Sequence, residues 1–191
     1  MAKFFGNLHL VLIVGLIAAI AVMIGYAGDI PVDANSVMRW AHVFFGILWI
    51  GLLYYLNFVQ VPTMPKVPAE LKKGVTGFIA PQVLFFFRWS ALLTVITGLG
   101  IAFGTGYGTR ALTFQGASAN ENLIGLGMWL AAIMAFNVWF IIWPAQKKIL
   151  GIVEASDEAK AKAAPVALAA SRTNLLLSLP MLYCMVSANL G

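Results

Sequence analysis

The chain has 191 residues, of which 61% are hydrophobic and only 10% are charged, with a mean hydropathy of +0.90 and a formal net charge of +5. About a quarter of the residues of a typical soluble domain are charged, so the composition excludes a soluble domain and indicates a polytopic membrane protein. The single cysteine, Cys184, excludes both an intrachain disulfide and a CxxCH haem-attachment motif. The net charge requires no nucleic-acid partner, because the lysines flank apolar runs, where they face anionic membrane lipid.

A helix needs about 20 residues to cross a hydrocarbon core of about 30 Å, and the sequence holds five apolar runs of this order. They cover residues 7–27, 39–61, 84–103, 122–143 and 174–190. Prolines predict where two of them end: Pro62 follows the second run and Pro144 follows the fourth. The sequence therefore predicts an all-α fold, a polytopic membrane helix bundle with five transmembrane helices in a single domain.

Basic residues are distributed unevenly over the two sides that five spans would define. Only Arg39 and Arg110 lie in the loops opposite the amino terminus. The loops on the side of the amino terminus carry Lys3, Lys66, Lys72, Lys73, Lys147, Lys148, Lys160, Lys162 and Arg172. Because an excess of lysine and arginine marks the cytoplasmic loops of membrane proteins, the pattern predicts a cytoplasmic amino terminus and an outward-facing carboxy terminus.

The segment between the fourth and fifth runs, residues 145–173, is predicted to be a cytoplasmic connector that is partly helical. Ser156 is a candidate N-cap, and the acidic residues Asp157 and Glu158 would lie in the first turn, where they complement the helix dipole. Pro165 is predicted to break or kink this helix before the last span. A solvated connector and a docking surface for a cytoplasmic partner are both compatible with the segment.

Polar side chains inside the apolar runs are costly in a membrane and are usually paired or functional. One group is predicted within a slab of about 10 Å near the cytoplasmic ends of the spans, given a helical rise of about 1.5 Å per residue. The group comprises His9, Asn57, Gln60, Arg88, Asn137 and Asn174. Two interpretations stay open: a hydrogen-bonded layer that fixes helix packing, and a pocket that binds a small polar anion.

Arg88 decides between these interpretations. A buried guanidinium has five N–H donors that require acceptors, so Arg88 is expected to hydrogen-bond at least one of the four amide side chains of the group. The competing possibility is that Arg88 extends to the lipid headgroups, because it lies close to the cytoplasmic end of its span.

His42 lies near the outer start of the second run, on one helical face with Gly46. Gly98 of the third run and Gly125 of the fourth approach the same depth. Glycines allow helices to pack closely, but they also leave room for a flat macrocycle beside an axial histidine. His42, Gly46, Gly98 and Gly125 are therefore a candidate haem b site with His42 as the metal ligand. His9 starts a span from the opposite side, which excludes a haem held by two histidines of one chain.

Three segments, RWAHVFFGILWIG, MAFNVWFIIWPAQKKILG and TNLLLSLPMLYCMVSAN, resemble in that order three blocks of the urate oxidase N-terminal membrane domain. That domain is the integral-membrane part of bacterial urate hydroxylases, and a cytochrome c domain follows it in full-length members. Longer members carry further membrane histidines at positions where this chain has Gly125 and Thr173. The resemblance therefore implies a short form without the cytochrome c domain, in which His42 is the histidine that is kept.

The resemblance implies a multi-pass protein of a bacterial inner membrane, in which the outward-facing carboxy terminus predicted from the basic residues would be periplasmic. Three functions stay open. The first is a redox-associated subunit, with His42 as axial ligand, that works with a separate cytochrome or a larger respiratory or oxidase complex. The second is a non-catalytic accessory subunit of such a complex, and the third is a binding protein for a small polar anion such as urate, through Arg88 and the amide side chains.

Overall fold

The computed structural model describes residues 2–28 and 32–188. These residues are almost entirely helical, and none of them lies in a strand, which confirms the predicted all-α class. The helices are α1 (Ala2–Phe5), α2 (Leu8–Gly25), α3 (Ala34–Lys66), α4 (Ala69–Gly104), α5 (Gly108–Leu112), α6 (Ala119–Ile149) and α7 (Asp157–Ser187).

Within the described residues, four helices, α2, α3, α4 and α6, are long and apolar enough to cross a membrane. They contain the first four predicted spans, and such helices are typical of a membrane protein. The fifth predicted span, residues 174–190, lies in the second half of α7, and its last two residues fall outside the described residues. Among the described residues, α7 is not one of the spanning candidates, and the prediction of five spans is not confirmed.

The prolines that were expected to end helices lie inside them. Pro62 is within α3 and Pro144 is within α6, so the ends predicted at these two positions are wrong. Pro165 is likewise inside α7, which runs without a break through the predicted connector into the predicted fifth span. Residues 157–173 of the connector are therefore a direct extension of the last helix.

A widened helical turn precedes three of the prolines. The segments Tyr55–Gln60, Val75–Ile79 and Asn137–Ile142 are π-helical, and each ends two residues before a proline. A proline ring clashes with the carbonyl group four residues earlier and provides no N–H to it. A π-helical turn inserts one extra residue and displaces that carbonyl from the ring, so α3, α4 and α6 continue where a regular α-helix would end or kink.

Polar side chains cap the helices that begin in aqueous loops. Ser156 accepts a hydrogen bond from the backbone N–H of Ala159 at 3.2 Å, which confirms the predicted N-cap of α7. Asp33 lies just before α3 and accepts from the backbone N–H of Ser36 at 2.7 Å. This hydrogen bond stabilises the ionised carboxylate and lowers the pKa of Asp33.

The chain divides into two compact units, Met1–Val37 and Met38–Gly191. The first holds α1, α2 and the start of α3. In the second, α3, α4, α6 and α7 share one apolar core. Its largest fully buried apolar side chains are Trp49, Phe87, Leu53, Met134 and Val138. Lipid tails are as apolar as these side chains, so within a membrane the helices associate through close packing and interhelical hydrogen bonds.

Candidate functional site

The imidazole ring of His42 links α3 to α4. Its Nδ1 atom lies 2.9 Å from the backbone carbonyl oxygen of Thr94 and 3.3 Å from the hydroxyl oxygen of Thr97. A carbonyl oxygen only accepts hydrogen bonds, so the neutral ring carries its proton on Nδ1. The Thr97 hydroxyl donates to the carbonyl of Leu93 at 2.7 Å and is therefore a second acceptor for His42. The lone pair of Nε2 is left free, with no hydrogen-bond partner among the described residues.

Gly98 allows the close approach of this ring to α4. A Cβ atom at position 98 would lie 2.9 Å from Cε1 and 3.2 Å from Nδ1 of His42. These distances are shorter than ordinary van der Waals contacts, so a side chain at position 98 would displace the imidazole. A Cβ atom on Gly46 would lie 3.9 Å from the methyl carbon of Thr94. The structure thus brings His42, Gly46 and Gly98 to one contact between α3 and α4.

Gly125 lies at a different contact, between α5 and α6. A Cβ atom at this position would overlap the backbone carbonyl oxygen of Ala111 and would lie 2.7 Å from its carbonyl carbon. The room that the glycine leaves is therefore filled by the backbone of α5. Of the residues that the sequence assigned to a haem site, Gly125 is therefore at a contact separate from that of His42, Gly46 and Gly98.

The residues around His42 would support it as a ligand of haem iron, but they do not form a complete pocket for the macrocycle. A ligating histidine typically donates its other ring N–H to a carbonyl or carboxylate, which fixes its tautomer, as His42 does with Thr94. The imidazole itself fills the space that Gly98 leaves, and the backbone of Ala111 fills the space that Gly125 leaves. Within the described ranges, no group of three or more His, Cys, Asp or Glu side chains could hold a metal ion. His42 could therefore hold the iron, but the macrocycle would require surfaces beyond these glycines.

The buried amides near the other end of the bundle form two separate hydrogen-bonded groups. In the first, Asn137 of α6 donates from Nδ2 to Oδ1 of Asn174 at 2.9 Å. Asn174 in turn donates to the backbone carbonyl of Met134 at 3.0 Å. Both asparagines are buried, and Asn137 is the first residue of a π-helical segment. The pair joins α6 to α7 by hydrogen bonds that point in both directions.

In the second group, Asn57 joins α3 to α7. Its Nδ2 atom donates to the backbone carbonyl of Leu53 and to the hydroxyl of Ser171, both at 2.9 Å. The Oδ1 atom of Asn57 and the Oε1 atom of Gln60 are buried without a hydrogen-bond partner in the described residues. Asn57 and Asn137 thus form separate links to α7, whereas Gln60 makes no interhelical bond among the described residues.

Arg88 hydrogen-bonds none of these amides, so the expectation that it would do so is wrong. Its guanidinium carbon lies 3.5 Å from the ring centroid of Trp143, and one terminal nitrogen donates to the carbonyl of Leu84 on its own helix at 3.3 Å. Trp139 donates from its indole nitrogen to the backbone carbonyl of Arg88 at 3.2 Å. The face of an indole attracts a guanidinium, and Trp143 therefore takes the place that amide oxygens were expected to hold.

Thr94 and Thr97 were missed as partners of His42. With Ser90 they recur at the spacing of one helical face, i, i+4 and i+7, and all three are buried. This hydroxyl-rich stripe was the sequence signal for a polar contact on α4. The stacking of Arg88 on Trp143 gave no such signal. The π-helical segment before Trp143 has more residues per turn than an α-helix, so the regular α-helical spacing does not predict which face Trp143 lies on.

The long apolar helices and their buried polar contacts define a helical membrane protein. Within that class, the family model described as urate oxidase N-terminal matches residues 107–191. The match confirms the predicted resemblance over α5, α6 and α7, which include Asn137 and Asn174, whereas the segment around His42 lies outside it. No curated protein and no solved structure matches the chain.

A double-mutant cycle tests the contact between Arg88 and Trp143. We expect Arg88→Ala and Trp143→Leu each to lower the free energy of unfolding, with a coupling energy of about 1–2 kcal/mol, because a partly desolvated cation–π pair is of this strength. Unfolding in detergent provides the measurement. The control pairs Trp143→Leu with Arg172→Ala, an exposed arginine, and should show no coupling. Additive effects of Arg88→Ala and Trp143→Leu would contradict the assignment.

Proposed function

We propose that this chain is a membrane subunit of a redox assembly in the inner membrane of a bacterium, and that Nε2 of His42 ligates the iron of a haem b. One observation carries the proposal: the hydrogen bond from Nδ1 of His42 to the carbonyl of Thr94 orients the ring and leaves Nε2 unprotonated. The match of residues 107–191 to the urate oxidase N-terminal family supports an oxidase-type context. The proposal places the amino terminus in the cytoplasm, because the distribution of basic residues favours that orientation.

Each residue of the α3–α4 contact has a defined role in this proposal. The Thr94 carbonyl keeps the proton on Nδ1, the Thr97 hydroxyl supports the same tautomer, and Gly98 lets the ring lie against the helix backbone. A bound haem would supply one-electron transfer, and the electrons would leave through a separate cytochrome or a larger respiratory complex. His42 would be the histidine ligand from this chain, and any further ligand would be water, a non-histidine side chain or a residue of another chain.

A non-catalytic accessory subunit is the second candidate, and a different observation favours it. Asn137 and Asn174 hydrogen-bond each other and the chain backbone, as expected of a layer that fixes helix packing. Arg88 stacks on Trp143 and bonds neither amide, so the geometry gives less support to an anion-binding protein built on Arg88, Asn57, Gln60, Asn137 and Asn174.

The chain contains only two histidines, which provides a matched pair of variants. We expect protein purified from haem-replete membranes, with its partners retained, to show a Soret band and a reduced-minus-oxidised haem b spectrum. His42→Ala should abolish the band because it removes the ligand, whereas His9→Ala should leave it unchanged. A wild-type protein without a Soret band would favour the accessory subunit, and a His42→Ala variant that keeps the band would exclude His42 as the ligand.

A further inference from the structure

We propose that a groove between α6 and α7 binds an anionic phospholipid. The groove has a volume of about 410 Å³, and its walls include Phe140 and Pro144 of α6 and Val166 of α7. Two lysines, Lys148 of α6 and Lys162 of α7, lie at the same groove. None of the residues that line it belongs to the His42 contact, so the inference is independent of the proposed function.

Small side chains account for the groove. Ala145, Ala163 and Ala167 form a buried cluster between the two helices, with Ile149 packed against it. Alanines allow the helix backbones to approach closely but fill little of the space beside the contact. Larger apolar side chains border this space and remain exposed, Phe140 by 67% and Val166 by 50%. The result is an apolar groove that is open at the side of the bundle.

The charge of the groove selects an anion. Of the nine residues that line it, two are lysines and none is acidic. Lys148 makes no ion pair with any described residue. Lys162 pairs with Glu158 at 2.6 Å, but the two side chains are 76% and 75% exposed. Such an exposed pair is weak, so a phosphate group that contacts both lysines would displace the Glu158 carboxylate.

The arrangement of apolar and basic groups favours a phospholipid over a soluble anion. Phe140 and Lys148 are eight residues apart on α6, which corresponds to about 12 Å along a helix. α6 is one of the helices that are apolar enough to cross a membrane. Over this distance the groove changes from exposed aromatic surface to lysine, as a glycerophospholipid changes from acyl chain to phosphate. Basic pockets at the ends of transmembrane helices bind anionic headgroups in this way.

The test uses the full-length protein in a neutral detergent, titrated with phosphatidylglycerol. We expect lipid adducts in native mass spectra and a rise in the thermal unfolding midpoint, and neither effect with phosphatidylcholine or with free glycerol phosphate. The double variant Lys148→Gln/Lys162→Gln should weaken binding about thirtyfold, which corresponds to about 2 kcal/mol from two lysines. Glu158→Gln should strengthen binding, because it releases Lys162.

The matched control is Lys72→Gln/Lys73→Gln, which removes the same charge from lysines that do not line the groove. This control should bind phosphatidylglycerol as the wild type does. Lys148 and Lys162 are exposed, so we expect their substitution to leave the fold unchanged, and equal unfolding midpoints without lipid would establish this. Three results would each overturn the proposal: unchanged binding in the groove variant, an equal loss in the control variant, or an equal response to free glycerol phosphate.

Discussion

Replacement of Gly125 by alanine is expected to lower the free energy of unfolding by about 3 kcal/mol or more, the upper range for overpacking a close contact. The added methyl group would overlap the backbone carbonyl oxygen of Ala111, and both atoms belong to helix backbones that cannot rotate away. The substitution would therefore push α5 away from α6. That movement would also disturb the hydrogen bond from the indole nitrogen of Trp129 to the carbonyl of Leu112, which has a length of 3.0 Å.

Two other glycines provide graded controls for this variant. A Cβ atom on Gly127 would lie 2.8 Å from Cβ of Cys184, so a side chain there would require a shift, but the contact is longer than the overlap at Gly125. Apart from its chain neighbours and its own helix backbone, no atom of the described residues lies within 4 Å of the Cβ position of Gly51, and alanine there should be neutral or should stabilise the helix by about 0.5–1 kcal/mol. The expected order of stability is Gly51→Ala, then Gly127→Ala, then Gly125→Ala. Equal midpoints for the variants at positions 51 and 125 would show that α5 does not pack on Gly125.

The surroundings of these glycines show whether each one serves helix packing or leaves space for a cofactor. From the sequence, the glycines at the depth of His42 were compatible with close helix packing and with space for a macrocycle, but a glycine can create space only where no other group fills it. At Gly98 the imidazole of His42 fills the space, and at Gly125 the Ala111 carbonyl does. Composition and depth do not distinguish an empty space from a filled one, because that depends on the approach of a second helix.

Hydropathy predicted the positions of four long helices, because the apolar length that a bilayer requires is a property of the sequence alone. The cap at Ser156 was also predictable, since a serine followed by two acidic residues is a local signal. The residues at which the helices end were not predicted correctly. Pro62 and Pro144 are strong stop signals in a regular α-helix, but each follows a π-helical segment that displaces the carbonyl group its ring would meet.

The partners of the polar residues were predicted less well than their positions. Asn137 and Asn174 were placed in one layer, and the structure joins them directly. Arg88 was placed in the same layer, but its guanidinium lies on the face of Trp143. An arginine can interact with a carbonyl oxygen and with an aromatic face together, and Nε of Arg88 is buried without a hydrogen-bond partner among the described residues, so a rule that counts its donors against nearby amides predicts the wrong partner.

Asn174→Leu is expected to lower the free energy of unfolding by about 2–3 kcal/mol, although leucine is close to asparagine in size. The substitution removes the acceptor of the Asn137 amide and the donor to the carbonyl of Met134. Asn174 is fully buried, so water cannot replace either partner. A buried polar group that loses its hydrogen bond carries its full desolvation cost, about 1–3 kcal/mol. The neighbouring Thr173→Ala, at an exposed position, should be nearly silent in the same unfolding measurement.

A double substitution distinguishes the loss of a hydrogen bond from a simple packing defect. In Asn137→Leu/Asn174→Leu neither amide remains to be left unpaired, so the double variant should lose less stability than the sum of the two single variants. Replacement of both partners by apolar groups of similar shape can be nearly neutral, and residues in direct contact commonly couple by about 0.5–3 kcal/mol. Strictly additive losses would mean that each asparagine is stabilised separately, by its own helix, and that the pair does not link α6 to α7.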